Sequence, residues 1–211
     1  MSFAEQDPRD GPLSTWAGFP VERVLAAYRD GVVSLSRLGA KVVDWQVPTP
    51  CPEWTLLDLG GHVLAIARYW HQLLNAALAG QPRAGLPRGA DLAAMNAFDL
   101  RSLPERRGPE RFLAFEAVAT RYGERLGDVD WSLPLGTWAG LPPMSIGDHT
   151  LAAVGEWHVH AWDVARSFGW DYRPDDPEII FAGERLGPPA AGTDVWTASL
   201  LAAGRRPPSR T

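Results

Sequence analysis

Long amphipathic stretches broken by proline-rich segments constrain this chain more than any other feature. Val21, Val24, Leu25, Tyr28, Val32, Leu35 and Leu38 recur at three- and four-residue spacing, the period of a helix with one buried stripe, and predict a helix to about Val43. "DWQVPTPCPEW" carries three prolines in eleven residues and cannot continue that helix. Thr55 and Asp58 form a T-x-x-D start signal for a second helix reaching about Leu78. After "AGQPRAGLPRGAD", read as a loop, "LAAMNAFDL" is compatible with a short helix. Pro109 opens a third long helix with Phe112, Phe115, Val118, Ala119 and Tyr122 on one stripe. "DVDWSLPLGTWAGLPPM" reads as a loop with one extended pair. Ser145 and Asp148 then start a fourth long helix, running to about Phe168 and closed by Gly169. A short fifth helix near Pro177 and one apolar turn in the tail complete the pattern. With no repeat and no strand series, the class is all-α: four main helices in a bundle with long connections.

The remaining composition narrows the partners. At 211 residues and 45% hydrophobic content, the chain can fill one core, expected over residues 20–211, with residues 1–19 as a loose arm. A net charge of −5 without long basic runs argues against nucleic acid and membrane-surface partners. The N-terminus lacks the basic and apolar regions of a signal peptide, no run suits a membrane span, and Cys51 has no second cysteine to pair with. These point to a cytoplasmic protein, monomer or homodimer, acting on a small molecule. Only Lys41 among the 20 basic residues is lysine, which reflects a GC-rich coding genome.

Chemistry concentrates in "GEWHVHAWDVARSFG", residues 155–169. Glu156 and His160 share a helical face and lie about 6 Å apart along the axis, whereas His158 is turned from Glu156 by roughly 200°. His149 shares that face but lies roughly 10 Å before Glu156, a pocket neighbour rather than a ligand. On the second helix, His62 falls on the inward stripe with Leu59, Ile66 and Trp70; His71 is about half a turn away. A lone inward histidine is ordinarily a core residue. A buried carboxylate on the facing helix changes the reading, because it costs several kcal/mol without a compensating cation. His62, Glu156 and His160 together match the two-imidazole, one-carboxylate set of catalytic zinc sites; iron, nickel or manganese also use it.

"TPCPEWTLLDLGGHV" and "EWHVHAWDVARSFG" resemble the two hallmark segments of DinB-like metalloenzymes, specifically the mycothiol-dependent maleylpyruvate isomerase N-terminal group. The matching positions are Thr49, Pro50, Cys51, Trp54, Asp58, Leu59 and His62, then Glu156, His160, Trp162, Asp163 and Ala165. The likeness extends loosely from Pro20 to "LLAAGRRP". It implies a DinB-like four-helix bundle with a divalent ion, often zinc, on the same three residues, and a low-molecular-weight thiol, mycothiol in actinobacteria, as cosubstrate. The isomerase has a further C-terminal domain, so a single-domain relative is expected, whose substrate need not be the same.

Such a centre would ionise a thiol for attack on an electrophile, giving transfer, or isomerisation if the thiol leaves again. Asp163 is read either as the acceptor orienting a ligand imidazole or as an ion-pair partner of Arg166. Arg166 and Arg173 are candidates for holding an anionic substrate or cofactor, against ordinary surface roles. Trp157 and Trp162 are expected in the core rather than on a pocket wall. Cys51, among prolines with no base nearby in sequence, is not expected to be a nucleophile. The alternatives are a thiol-independent hydrolase using activated water, with His149 as proton carrier, and a non-catalytic metal- or ligand-binding bundle.

Overall fold

The computed structural model describes residues 16–81, 92–136, 144–183 and 189–207. The expected loop over 82–91, the stretch 137–143 and the first fifteen residues of the arm lie outside these. Seven α-helices occur among the described residues: α1 Val21–Gly39, α2 Leu56–Leu78, α3 Leu92–Ser102, α4 Gly108–Arg125, α5 Ile146–Ser167, α6 Pro177–Gly183 and α7 Val195–Ala202. A two-stranded antiparallel ribbon, β1 Pro134–Gly136 with β2 Met144–Ser145, supplies the extended pair.

The start signals work as their chemistry predicts. Thr55 and Ser145 each accept from the backbone N–H three residues on, while Asp58 and Asp148 accept in return from the cap residue's N–H. Each capping box satisfies two backbone donors that the first turn leaves open. At the other end, Gly169 takes φ of +70°, a left-handed turn just past the Phe168 cap that closes α5 after Ser167. α1 ends at Gly39, four residues before the expected boundary, because Lys41 and Val42 fold back on the carbonyls of Leu38 and Gly39. The apolar turn in the tail is a full helix, α7, capped by Asp194.

α1, α2, α4 and α5 form the bundle: α1 lies against α5 and α4, and α2 against α4 and α5. Trp157 of α5 is at its centre, fully buried between Phe115 (ring centroids 4.9 Å), Trp70 (5.3 Å) and Tyr28 (6.4 Å). Truncating such a residue removes about 3–5 kcal/mol. α1 approaches α5 closely through Gly31, where a Cβ would stand 2.9 Å from the Trp157 Cβ and 3.1 Å from the His158 ring. The described end of the N-terminal arm is packed, not loose: Trp16 lies 5.7 Å from the Trp131 ring and over Gly147, which bare glycine leaves room for.

Candidate metal centre

Two turns into α2, His62 occupies the inward face set by Leu59 and Val63, and three turns into α5 Glu156 and His160 face it across a pocket of about 790 Å³. Glu156 Oε2 lies 3.2 Å from His160 Nε2 and 3.9 Å from His62 Nε2. Both histidines are buried, but the Glu156 side chain keeps 40% exposure because it fronts the pocket. The His62, Glu156 and His160 donor atoms lie within 4.8 Å of one another. Ligands at about 2.0–2.1 Å in a tetrahedron stand roughly 3.4 Å apart, so a divalent cation fits with small side-chain adjustments. Trp54 closes one side, its ring 4.6 Å from that of His62 and 6.5 Å from that of His160.

His160 is held at its other nitrogen. Nδ1 lies 2.9 Å from Asp163 Oδ2, so an Nδ1–H donating there leaves Nε2 as the nitrogen that faces Glu156, able to donate a proton to it or, once deprotonated, to offer a lone pair to a cation. Asp163 thus sits against the ring nitrogen that faces away from Glu156. Its ion pair is with Arg205, not Arg166: Nη2 reaches Oδ2 at 2.6 Å and Nε reaches Oδ1 at 3.0 Å. Arg166 is exposed near the end of α5 and outside the pocket lining, because the helix turns it away from the Glu156 face. Arg173 is engaged with Asp194 at 3.0 Å.

The electrostatics follow from burial set against these contacts. Burial pushes the Asp163 carboxyl up, but His160 and Arg205 outweigh it and hold the group at about 2. Burial likewise raises Glu156, and the hydrogen bonds from His160 and His62 overcome it, leaving the carboxyl well below its usual range. The imidazoles diverge. Burial lowers His62, only partly countered by Glu156, whereas in His160 the same burial is outweighed by Asp163, Cys51 and Glu156, and its pKa rises. A cation at Nε2 thus competes with a proton for an imidazole made basic by carboxylates on both sides.

Other expected residues fall elsewhere. His149 is buried against Trp70, ring centroids 6.3 Å apart, and does not line the pocket, since two turns back along α5 from Glu156 carry it past the cavity into the core. It is not placed to carry protons for a bound substrate. His158 faces α1: its Nε2 donates to the Ala27 carbonyl at 3.0 Å and its Nδ1 meets the Tyr172 hydroxyl at 2.5 Å. Trp157 and Trp162 are core residues. Cys51 meets charged groups that its local sequence does not show: its Sγ lies 3.2 Å from Asp163 Oδ2 and 2.9 Å from Arg205 Nη2. Arg205 is the pocket-lining side chain that sequence reasoning missed. Its one signal was "GRRP" after an apolar helix, where nothing local indicates a carboxylate partner 42 residues back.

The bundle and its convergent donors define a helical protein with a carboxylate–imidazole centre between two helices. The chain belongs to the mycothiol maleylpyruvate isomerase N-terminal domain family, whose model matches residues 28–165. Its fold is similar to the crystal structure of the mycothiol-dependent maleylpyruvate isomerase, with a TM-score of 0.62 and 19% identity over 81% of this chain and 70% of that one. A mutant of that isomerase gives a TM-score of 0.65 at the same identity and coverage. No curated protein matches the sequence. No helix among the described residues is long and apolar enough to cross a membrane.

Proposed function

We propose that the protein is a thiol-dependent metalloenzyme that uses a mycothiol-like, low-molecular-weight thiol on an electrophilic small molecule, with His62, Glu156 and His160 as metal ligands. The observation that carries this reading is the approach of both Nε2 atoms to one Glu156 oxygen at the edge of a cavity, in a chain of this family. Two nitrogens and one carboxylate with a side open to a pocket suit zinc and leave a position for substrate. A divalent cation bound there supplies a lowered thiol pKa and polarisation of a substrate carbonyl.

The chain's own residues do the rest. Glu156 contributes the negative charge that balances the cation. Asp163 fixes the His160 ring with Nε2 forward, and Arg205, paired with Asp163, keeps that carboxylate ionised in a buried setting. Trp54 covers both imidazoles and limits water on that side. In the reaction, the thiol sulfur forms a bond to the electrophilic carbon as the π electrons move to the adjacent carbonyl oxygen. The thiol proton leaves to solvent before attack; rotation about the resulting single bond, then return of the electron pair with expulsion of the same thiolate, gives isomerisation, and protonation of the enolate carbon with the carbon–sulfur bond retained gives transfer. A cytoplasmic, thiol-rich setting accords with an unpaired Cys51.

The test measures metal content and turnover together. Wild-type protein is expected to carry about one divalent ion and to convert an activated cis-alkene dicarbonyl only with added thiol; His62→Ala should lose both. Turnover that is unchanged without thiol would sink the thiol mechanism, and metal-free wild-type protein would sink the centre.

A further inference from the structure

We infer that the protein has a second cation site, selective for thiophilic metals, formed by Cys51, Asp163 and the Nδ1 edge of His160. These three residues are buried and place their donor atoms within 4.8 Å of one another. Cys51 comes from the turn before α2, and the other two from α5. A sulfur, an imidazole nitrogen and a carboxylate oxygen form a donor set whose thiolate favours the softer cadmium over zinc, which keeps to the carboxylate–imidazole side at Glu156.

The site already holds a cation of its own. The Arg205 guanidinium donates to both Asp163 oxygens and lies 2.9 Å from the Cys51 sulfur, so it neutralises the carboxylate that a metal would bind. Arg205 comes from the segment after α7, keeps 15% side-chain exposure and borders the cavity. It has space to swing into. A metal entering here displaces the guanidinium, and the Cys51 thiol proton leaves to solvent.

The two sites share one imidazole. A neutral ring has a single lone pair. With Nδ1–H donating to Asp163, that pair is at Nε2 and serves the Glu156 side. Coordination at Nδ1 moves the proton to Nε2, where it can donate to Glu156 Oε2, 3.2 Å away. Occupancy of the second site therefore empties the first, and thiophilic metals inhibit by taking His160. The three-donor site stands on its own residues; only this antagonism rests on the proposed function.

The experiment uses the full chain, stripped with a chelator and titrated with cadmium alone while the sulfur-to-cadmium charge-transfer absorption is followed. One thiolate band per chain is expected in wild type, and none in Cys51→Ser. Arg205→Met should shift the midpoint to roughly tenfold lower cadmium, because the tethered competitor is gone, and Asp163→Asn to roughly tenfold higher. Zinc preloading should raise the wild-type midpoint but not that of Glu156→Gln. Absence of the band from both wild type and Arg205→Met overturns the site, whether or not other variants fold. An unchanged midpoint in folded Asp163→Asn also overturns it, since the cysteine then binds alone. A midpoint insensitive to zinc overturns the shared use of His160. An intact cadmium band in wild-type protein that binds no zinc supports this site while removing the proposed function.

Discussion

His158 and His160 are two residues apart on α5, almost equally buried at 1% and 4% exposure, and do different work. His158 faces α1, where both ring nitrogens are used inside the fold by the Ala27 carbonyl and the Tyr172 hydroxyl. His160 faces α2, where Asp163 takes one nitrogen and the other is directed at Glu156 and the pocket. Burial does not separate a histidine satisfied inside the fold from one that fronts a pocket. What separates them is whether a nitrogen remains directed at a space another molecule can enter, and beside which charge.

The largest expected effect breaks the His160 side. His160→Ala or Glu156→Gln should remove stoichiometric metal and lower thiol-dependent turnover more than 100-fold, since loss of outer partners alone costs about 10–100-fold. Far-ultraviolet dichroism should be retained. A variant that keeps its metal would show that the centre is elsewhere.

His158→Ala should do the reverse. It leaves a cavity and removes the partner of the buried Ala27 carbonyl and of the half-buried Tyr172 hydroxyl, a cost of about 2–4 kcal/mol in denaturant unfolding, while metal content per folded chain stays at the wild-type value. Loss of metal at unchanged stability would invert the roles of the two histidines. Between these extremes lies Asp163→Asn, which preserves shape but weakens the acceptor for Nδ1–H and unpairs Arg205. Metal affinity should fall about 10–100-fold, measured by competition with a chromophoric chelator; an unchanged affinity would reduce Asp163 to a structural ion pair.

The His158/His160 contrast was legible in the sequence because helical phase is local: 200° separates position 158 from 156, and four residues bring 160 back to its face. The capping boxes at Thr55 and Ser145 were legible for the same reason, as each is complete within four residues. What sequence could not provide was pairing across the fold. Asp163 had Arg166 within one helical turn, yet its partner is Arg205, which reaches it only because α6 and α7 pack together and α6 packs on α5. Cys51 and Asp163 meet across 112 residues. His149 was misplaced for a related reason: helical phase gives a direction, but how far along its axis a helix meets the pocket depends on its neighbours.

The smallest expected effect asks whether α7 belongs to the His160 side. Asp194 caps α7, accepting from the backbone N–H groups of Trp196 and Thr197 and from the Thr197 hydroxyl at 2.6 Å, and it also pairs with Arg173. The hydroxyl bond is foremost among the contacts that hold its carboxyl at about 2, below the ordinary 3.8. A folded-state pKa below the unfolded one means that the charged cap stabilises above about 4, and that this contribution is lost as pH falls towards about 2. Asp194→Ala should cost about 1 kcal/mol at neutral pH. The gap in melting temperature between wild type and Asp194→Asn should be full at pH 5 and shrink towards pH 2. Because α7 leads directly into Arg205, loosening this cap should also weaken the hold on Asp163 and lower metal affinity slightly in Asp194→Ala. A gap that does not vary with pH would deny the depressed carboxyl, and unaltered affinity would separate the α7 cap from the His160 side of the molecule.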